Sequence, residues 1–136
     1  MGATRNVGID VLSECVFCGL DSSRIVQQSG LMIVIRDAFP VTPLHTLVIP
    51  KRHVGSYFEL TDDELYQLRR LLSDQRREIR EADNTVSGFN IGVNDGESAG
   101  QTVFHCHVHL IPRRRGDVEN PQGGVRGVIP SKQGYR

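Results

Sequence analysis

The sequence predicts an α+β fold in which a β-sheet carries one long helix on one face. Two observations lead to this prediction: a single long amphipathic pattern lies in the middle of the chain, and short β-branched or alternating segments lie before and after it. With 136 residues the chain fits one domain. We expect the domain to span residues 1–136, with its core at about 15–115 and an extended C-terminal tail over 116–136.

The early elements follow from apolar runs and from prolines. Signals are weak at the start of the chain, where a short helix is expected around residues 10–15. Residues 31–35 (LMIVI) are β-branched and predict a buried strand. Pro40 and Pro43 indicate a loop, after which residues 45–50 (HTLVIP) predict a second strand.

The long helix begins with a clear capping signal. Thr61 can accept a hydrogen bond from the backbone three residues on, while the Glu64 side chain reaches back to the Thr61 backbone. We expect the helix to end near Asn84. Its apolar positions recur at helical spacing: Leu65, Leu68, Leu72 and Ile79.

Two further strands are expected after the helix. Residues 88–94 (GFNIGVN) alternate between apolar and polar side chains, which is typical of a half-buried strand. Residues 102–112 predict the last strand, and the Gly- and Pro-rich tail beyond it predicts an extended flap rather than core.

Composition limits the function classes. Sixteen Lys and Arg residues balance sixteen Asp and Glu residues, which argues against a general nucleic-acid binder. No apolar run is long enough to span a bilayer, so we expect no membrane partner and a cytoplasmic location. Three cysteines, two of them in a Cys-x-x-Cys pair, favour metal or redox chemistry over a disulfide framework.

The segment HCHVHLI at residues 105–111 is the most informative part of the sequence. In a strand its three histidines would share one face, with Cys106 and its apolar neighbours on the other. Alternate residues lie about 6.5–7 Å apart, which suits an elongated anionic substrate better than one tetrahedral metal. The alternative is that the three histidines are simply a row of polar side chains on a surface strand.

These residues resemble the histidine triad (HIT) superfamily of nucleotide hydrolases and transferases. The resemblance rests on the triad with AGQTV before it at 99–103, on PLHTLVIPKRH at 43–53, and on NDG at 94–96. It implies a HIT-like fold, with an antiparallel sheet and a long helix packed on one face. It also implies a nucleotide substrate.

The resemblance assigns the catalytic histidines. His107 would attack the α-phosphorus and form a covalent nucleotidyl-histidine, which water or another acceptor then resolves. His109 would contact the phosphoryl oxygens or the leaving group. His45 would complete the cluster from the neighbouring strand.

Four polar residues are the candidate nucleotide-binding groups besides His109. Asn94, Gln101 and Thr102 offer amide and hydroxyl donors to phosphate oxygens, and Asp37 matches a family position whose carboxylate can hold ribose hydroxyls. Three of them have a simpler alternative: Asp37 and Asn94 as turn residues, and Thr102 as the start of a strand.

Cys15 and Cys18 supply half of a tetrahedral zinc site. By resemblance, His53 and His105 would complete a structural zinc, although His105 could instead serve only as a backbone acceptor that orients His107. An unmetallated pair or a redox dithiol is the alternative. We expect no organic cofactor, and Cys106 is read as a small core residue.

The leading functional prediction is a nucleotidyl hydrolase or transferase. The residues after the triad, PRRRGD at 112–117, resemble the dinucleoside-polyphosphate hydrolase, fragile histidine triad-like branch. A purine nucleoside phosphoramidate hydrolase, a non-catalytic nucleotide-binding module and a metal-dependent hydrolase are the alternatives. The last would need carboxylates near the triad, and the nearest in sequence are Asp95, Glu97 and Asp117.

The resemblance also implies a homodimer. Leu71 lies beside the apolar stripe of the helix and widens it beyond what one small sheet needs to cover. A monomer is the alternative.

Overall fold

In the computed structural model, which describes residues 15–135, five strands form one antiparallel sheet with the long helix on one face. The α+β prediction is confirmed. The strands lie in the order β1-β2-β3-β5-β4 across the sheet. The elements are β1 (Ile25–Gln28), β2 (Met32–Arg36), β3 (Thr46–Pro50), α1 (Asp62–Ala82), β4 (Val86–Gly92) and β5 (Val108–Arg114).

The long helix has the predicted capping box. The Thr61 hydroxyl accepts from the Glu64 N–H at 3.1 Å, and the Glu64 carboxylate accepts from the Thr61 N–H at 2.8 Å. Arg52 adds two hydrogen bonds to the same carboxylate, which is almost fully buried. The helix ends at Ala82, two residues before the predicted end.

The helix covers one face of the sheet with an apolar core. Leu68 and Leu71 pack with Met32, Val34 and other buried residues, and Cys106 is buried among them as predicted. Because Leu71 belongs to the core of a single chain, it does not widen an outer stripe. Leu71 therefore does not support the predicted homodimer, which stays a prediction.

The opposite face of the sheet is covered by the segment that contains the Cys-x-x-Cys pair. Phe17 and Leu20 from this segment pack on a second cluster formed by Ile33, Ile35, Leu47 and Ile49. Leu47 pairs with His109 on the neighbouring strand, so this face also carries the triad. The predicted helix around residues 10–15 lies almost wholly outside the described residues.

Two strand predictions need correction. Strand β1 was not predicted, because a four-residue stretch that ends in two glutamines has too little pattern to stand out. The last strand begins at Val108 rather than at residue 102. Before it, the chain is irregular, since the Cys106 N–H bonds to the Val54 carbonyl at 2.7 Å instead of to a neighbouring strand.

The tail is folded rather than extended. Beyond β5 it forms two 3-10 turns, Gly124–Val128 and Pro130–Lys132, neither of which contains a buried residue. At Gly123 the backbone has a φ of 88°, and a Cβ atom there would lie 2.0 Å from the Gln133 carbonyl oxygen. Glycine thus lets the tail close on itself. In the part of the chain described, no helix is long and apolar enough to cross a membrane.

Candidate active site and metal centre

The three triad histidines have different surroundings. His107 is half-buried at the end of the irregular segment, and its Nδ1 lies 2.8 Å from the carbonyl oxygen of His105. A carbonyl only accepts, so Nδ1 carries the proton and Nε2 keeps its lone pair. The ring of Phe17 lies edge-on to His107, with 4.9 Å between the centroids. His107 is thereby oriented with a nucleophilic nitrogen.

A hydrogen-bond chain fixes the protonation of the other two histidines. The Val41 N–H donates to Nδ1 of His45 at 3.0 Å, so the proton of neutral His45 sits on Nε2. That nitrogen lies 2.9 Å from Nδ1 of His109. Since His109 Nδ1 must accept, the proton of neutral His109 sits on Nε2. The chain ends in an N–H donor next to His107, whose ring centroid is 5.2 Å from that of His109.

Both histidines of this chain are held neutral. Burial, with His107 and His45 close by, lowers the pKa of His109 to about 4. Burial also lowers the pKa of His45, although the carboxylate of Asp37 opposes that shift. His109 therefore acts near pH 7 as a neutral hydrogen-bond donor and not as a cation.

Asp37 lies beside the histidine cluster. One carboxylate oxygen is 3.4 Å from Nε2 of His45, and the other accepts the Phe39 N–H at 2.9 Å. Asp37 is thus both a turn residue, as in the simpler alternative, and a neighbour of the histidine cluster. From sequence, Asp95, Glu97 and Asp117 are the carboxylates expected nearest to the triad. The structure corrects this expectation, because it places Asp37 beside His45 and His109.

The remaining candidate residues divide into two groups. Asn94 lines the same cavity as His45 and His109, and the exposed Thr102 lies in the loop before the triad. Gln101 is buried, and its amide is bonded to the backbone of Gly55, Gly96 and Val103. In this structure both N–H groups of the Gln101 amide are bonded within the loop, so Gln101 helps to shape the loop, and its phosphate contact stays a prediction.

The four predicted metal ligands come together on the same face of the sheet. Sγ of Cys15 and Sγ of Cys18 each lie 3.5 Å from Nδ1 of His105, and Cys18 Sγ lies 3.2 Å from Nδ1 of His53. A tetrahedral zinc with Zn–S of about 2.3 Å and Zn–N of about 2.05 Å separates sulfur from nitrogen by about 3.5 Å. The spacing of these atoms therefore fits zinc.

The chemistry of the donor set agrees with this spacing. Nε2 of His105 lies 2.7 Å from the Pro50 carbonyl oxygen, which fixes its proton there and leaves Nδ1 free to bind a metal. Burial and the neighbouring Cys15 raise the pKa of Cys18 to about 11, so a cation is needed to hold both thiolates. Two sulfurs and two imidazoles suit zinc.

A second group of possible ligands overlaps the active site. One oxygen of Asp37 and one nitrogen each of His45 and His109 lie within 4.8 Å of one another. The two nitrogens face each other in a 2.9 Å hydrogen bond, however. A metal bound by both would have to replace that bond, so the hydrogen-bond chain accounts for these positions better.

Sequence reasoning missed three groups at the site. Phe17 lies between the two cysteines and packs on both His105 and His107, a role that its place in the Cys-x-x-Cys motif could have suggested. The Val41 N–H and the Pro50 carbonyl are backbone groups. The contacts of such backbone groups cannot be predicted from a pattern of side chains.

Comparisons with known proteins find similar sequences and similar folds. The HIT domain pattern matches residues 20–116. An uncharacterized HIT-like protein of Saccharolobus solfataricus is 37% identical over 126 residues, covering 90% of this chain and 87% of that protein. A zinc-bound histidine triad family protein from Mycobacterium smegmatis superposes with a TM-score of 0.70 at 35% identity, over 78% of this chain and 79% of the other. The diadenosine triphosphate hydrolase of Plasmodium falciparum superposes with a TM-score of 0.68 at 27% identity, over 74% of this chain and 68% of the other.

Proposed function

The chain belongs to the HIT domain family, and from this premise we propose that it cleaves the α-phosphate linkage of nucleotides through a covalent intermediate on His107. The observation that carries the proposal is the 2.8 Å contact between His107 Nδ1 and the His105 carbonyl. It leaves the Nε2 lone pair available beside a neutral histidine that donates an N–H.

The first chemical step forms a bond between His107 Nε2 and the α-phosphorus and breaks the bond from phosphorus to the leaving oxygen. His109 donates its Nε2–H to the oxygen on which charge develops. In the second step water attacks the same phosphorus, the P–N bond breaks with its electron pair returning to His107 Nε2, a proton is released to solvent, and a nucleoside monophosphate leaves. Asn94 and Thr102 supply further donors to the phosphate, and Asp37 accepts from ribose hydroxyls.

The neutrality of His109 favours one substrate class. A nucleoside diphosphate is a stable anion that can leave with only a hydrogen bond to its oxygen. An amine leaving group needs a whole proton, and His109, with a pKa of about 4, does not carry a spare one near pH 7. We therefore favour phosphoanhydrides, and dinucleoside polyphosphates among them, over phosphoramidates. The name of the Plasmodium falciparum neighbour supports this choice.

Zinc has a separate place in the proposal. Bound by Cys15, Cys18, His53 and His105, it would hold the Cys-x-x-Cys segment against the sheet without taking part in the reaction. Four protein ligands close such a site to water, as in structural zinc centres. We also propose a cytoplasmic location, because Cys15 and Cys18 are not joined in a disulfide, as is usual for cysteines in that compartment.

A panel of substrates tests the proposal. Diadenosine triphosphate, diadenosine tetraphosphate, adenosine 5′-phosphoramidate and adenylylsulfate are compared by kcat/KM. The highest value is expected for a dinucleoside polyphosphate, with a nucleoside monophosphate as one product. Turnover of none of the four would contradict the proposal.

A chelator separates this mechanism from the metal-dependent alternative built on Asp37, His45 and His109. Turnover that persists at low temperature after chelation is expected for a histidine nucleophile. Loss of turnover while the protein stays folded would favour the metal-dependent reading.

A further inference from the structure

A cavity of about 710 Å³ lies between the sheet and the C-terminal tail. Its volume falls within the range of small-molecule sites, roughly 300–1,000 Å³. Its lining includes His45, His109 and Asn94 from the site, and tail residues such as Val125 and Val128. The catalytic histidines and the tail therefore share one cavity.

The cavity lies on one side of the reacting centre only. His109 and His45 line it, whereas His107, Asp37 and Phe17 do not. In an in-line displacement at phosphorus the leaving group departs opposite the nucleophile. The nucleotide that is transferred would occupy the side of His107 and Asp37, which leaves the cavity beyond His109 for the group that departs.

The lining suits an uncharged, flat group. Val41, Val125 and Val128 present apolar side chains to the cavity, and Asn90 adds an amide. The one arginine of the lining, Arg113, is paired with Asp117 through two hydrogen bonds of 2.8 Å. Because the charges of Arg113 and Asp117 cancel, the pair adds no net positive charge that could attract a phosphate to the cavity. Apolar walls with a few amides are typical of pockets for heteroaromatic rings.

The tail wall is a built feature. Arg113 also donates to Asn90 Oδ1 at 2.7 Å, which turns the Asn90 Nδ2 toward the tail. A Cβ atom on Gly124 would lie 3.1 Å from that nitrogen, and Gly124 has a positive φ of 39°. The Gly124–Asn90 contact packs the tail against the sheet, and the tight fit of Gly123 against Gln133 holds two parts of the tail together.

We propose that the tail and the sheet edge form a second subsite, which binds the nucleoside of the departing nucleotide. The inference rests on the proposed function and extends it: the enzyme binds both nucleosides of a dinucleoside polyphosphate. A substrate with a small leaving group would leave the subsite empty.

Equilibrium binding tests the subsite without relying on turnover. In the His107→Ala background, diadenosine triphosphate and AMP are titrated by calorimetry. A further substitution, Val128→Asp, places a carboxylate in the cavity. We expect it to weaken the binding of diadenosine triphosphate at least tenfold and to change the Kd of AMP less than twofold. Gly123→Ala, which disrupts the packing of the tail on itself at Gln133 and so disturbs this wall of the cavity, should act in the same direction.

Ile129→Asp is the matched control. Ile129 follows Val128 in the tail and is similarly exposed, 57% against 76%, but does not line the cavity. It should leave both affinities unchanged. Equal loss for diadenosine triphosphate and AMP, or no loss with Val128→Asp and Gly123→Ala, would overturn the subsite. Failure of the wild-type protein to hydrolyse diadenosine triphosphate would instead count against the proposed function, because the binding measurement does not depend on it.

Discussion

At the scale of single residues, the site depends on which nitrogen of each histidine carries a proton. Backbone groups decide this for two of the three: the His105 carbonyl orients His107, and the Val41 N–H orients His45. His45 then sets the proton of His109. The catalytic arrangement follows from local chain geometry as much as from the identity of the side chains.

Replacing His109 tests the end of this chain. His109→Ala removes the N–H that stabilises charge on the departing oxygen, and kcat should fall about 100-fold. The Kd of AMP, measured separately, should change much less. Steady-state kinetics and calorimetry check the two values. A kcat within threefold of wild type would contradict the role given to His109.

Acid should destabilise the protein through the same histidines. In the folded protein the pKa of His109 is about 4, below its usual 6.5, and that of His45 is also lowered. Between these values the unfolded chain binds more protons than the folded one, so stability falls as the pH drops below about 6.5. Thermal unfolding from pH 7 to pH 4 measures the effect.

The variant His109→Gln is the control for acid unfolding. It lacks the titrating imidazole, so its melting temperature should fall less steeply over the same pH range. An identical slope in both proteins would show that His109 does not contribute. The comparison cancels protonation of the metal ligands, which both proteins share.

How far the residues could be predicted depends on whether a side-chain pattern marks them. The alternation of HCHVHLI correctly separates the buried Cys106 from the histidines, even though β5 begins only at Val108. The turn between β2 and β3 brings Asp37 close to His45, and the spacing of the two residues in sequence is not enough to predict this contact. Gln101 has the right chemistry for a phosphate, but the loop backbone uses its amide.

At the scale of elements, the Cys-x-x-Cys segment links the candidate metal ligands to the proposed nucleophile. Its Phe17 packs on His105 and His107, and it covers the apolar cluster on the triad face of the sheet. A metal that holds this segment in place stabilises that whole face.

Removal of zinc should therefore lower the melting temperature more than it lowers kcat at low temperature. His105 keeps its hydrogen bond to Pro50 when the metal leaves, so His107 retains its acceptor. Elemental analysis of protein purified without chelators should give about one zinc per chain. Differential scanning calorimetry with and without chelator measures the loss.

The double variant Cys15→Ser/Cys18→Ser is the control for zinc removal. Its melting temperature should already be low and should not respond to chelator. The cysteine pair serves another purpose if wild-type protein contains well under one zinc per chain, or if its melting temperature does not change with chelator.

The elements were predicted best where their signals are local. The capping box placed the start of α1 to the residue, since both partners lie within one turn. Strand β1 and the irregular residues before Val108 depend on partners that are distant in sequence. The Cys106 N–H, for example, bonds to Val54.

At the scale of the whole molecule, the tail and the edge of the sheet are the least predictable parts. The tail has the glycines of a flexible segment, yet Gly123 and Gly124 are used for close packing against Gln133 and Asn90. Only the folded structure shows that this packing forms a wall of the cavity.

Assembly is also a question for the whole molecule, and we predict a homodimer. Leu71 is buried within the chain, whereas β4 is an edge strand of seven residues in which Ile91 is 52% exposed. Among residues 15–135 no strand pairs with the outer side of β4, and an apolar edge of this kind favours pairing with a second copy. Light scattering at micromolar concentration should give about twice the 15.2 kDa chain mass. Ile91→Lys should lower the mass, and a wild-type mass near 15.2 kDa would contradict the prediction.

The covalent role of His107 is the central claim, and trapping the intermediate tests it most directly. Wild-type protein is mixed with diadenosine triphosphate, quenched within one turnover under conditions that preserve phosphoramidates, digested, and examined by mass spectrometry. The account predicts an adenylyl group on His107, and none in the variant His107→Ala, whose kcat falls by several orders of magnitude. An adduct on a different residue, or near-normal turnover by His107→Ala, would contradict it.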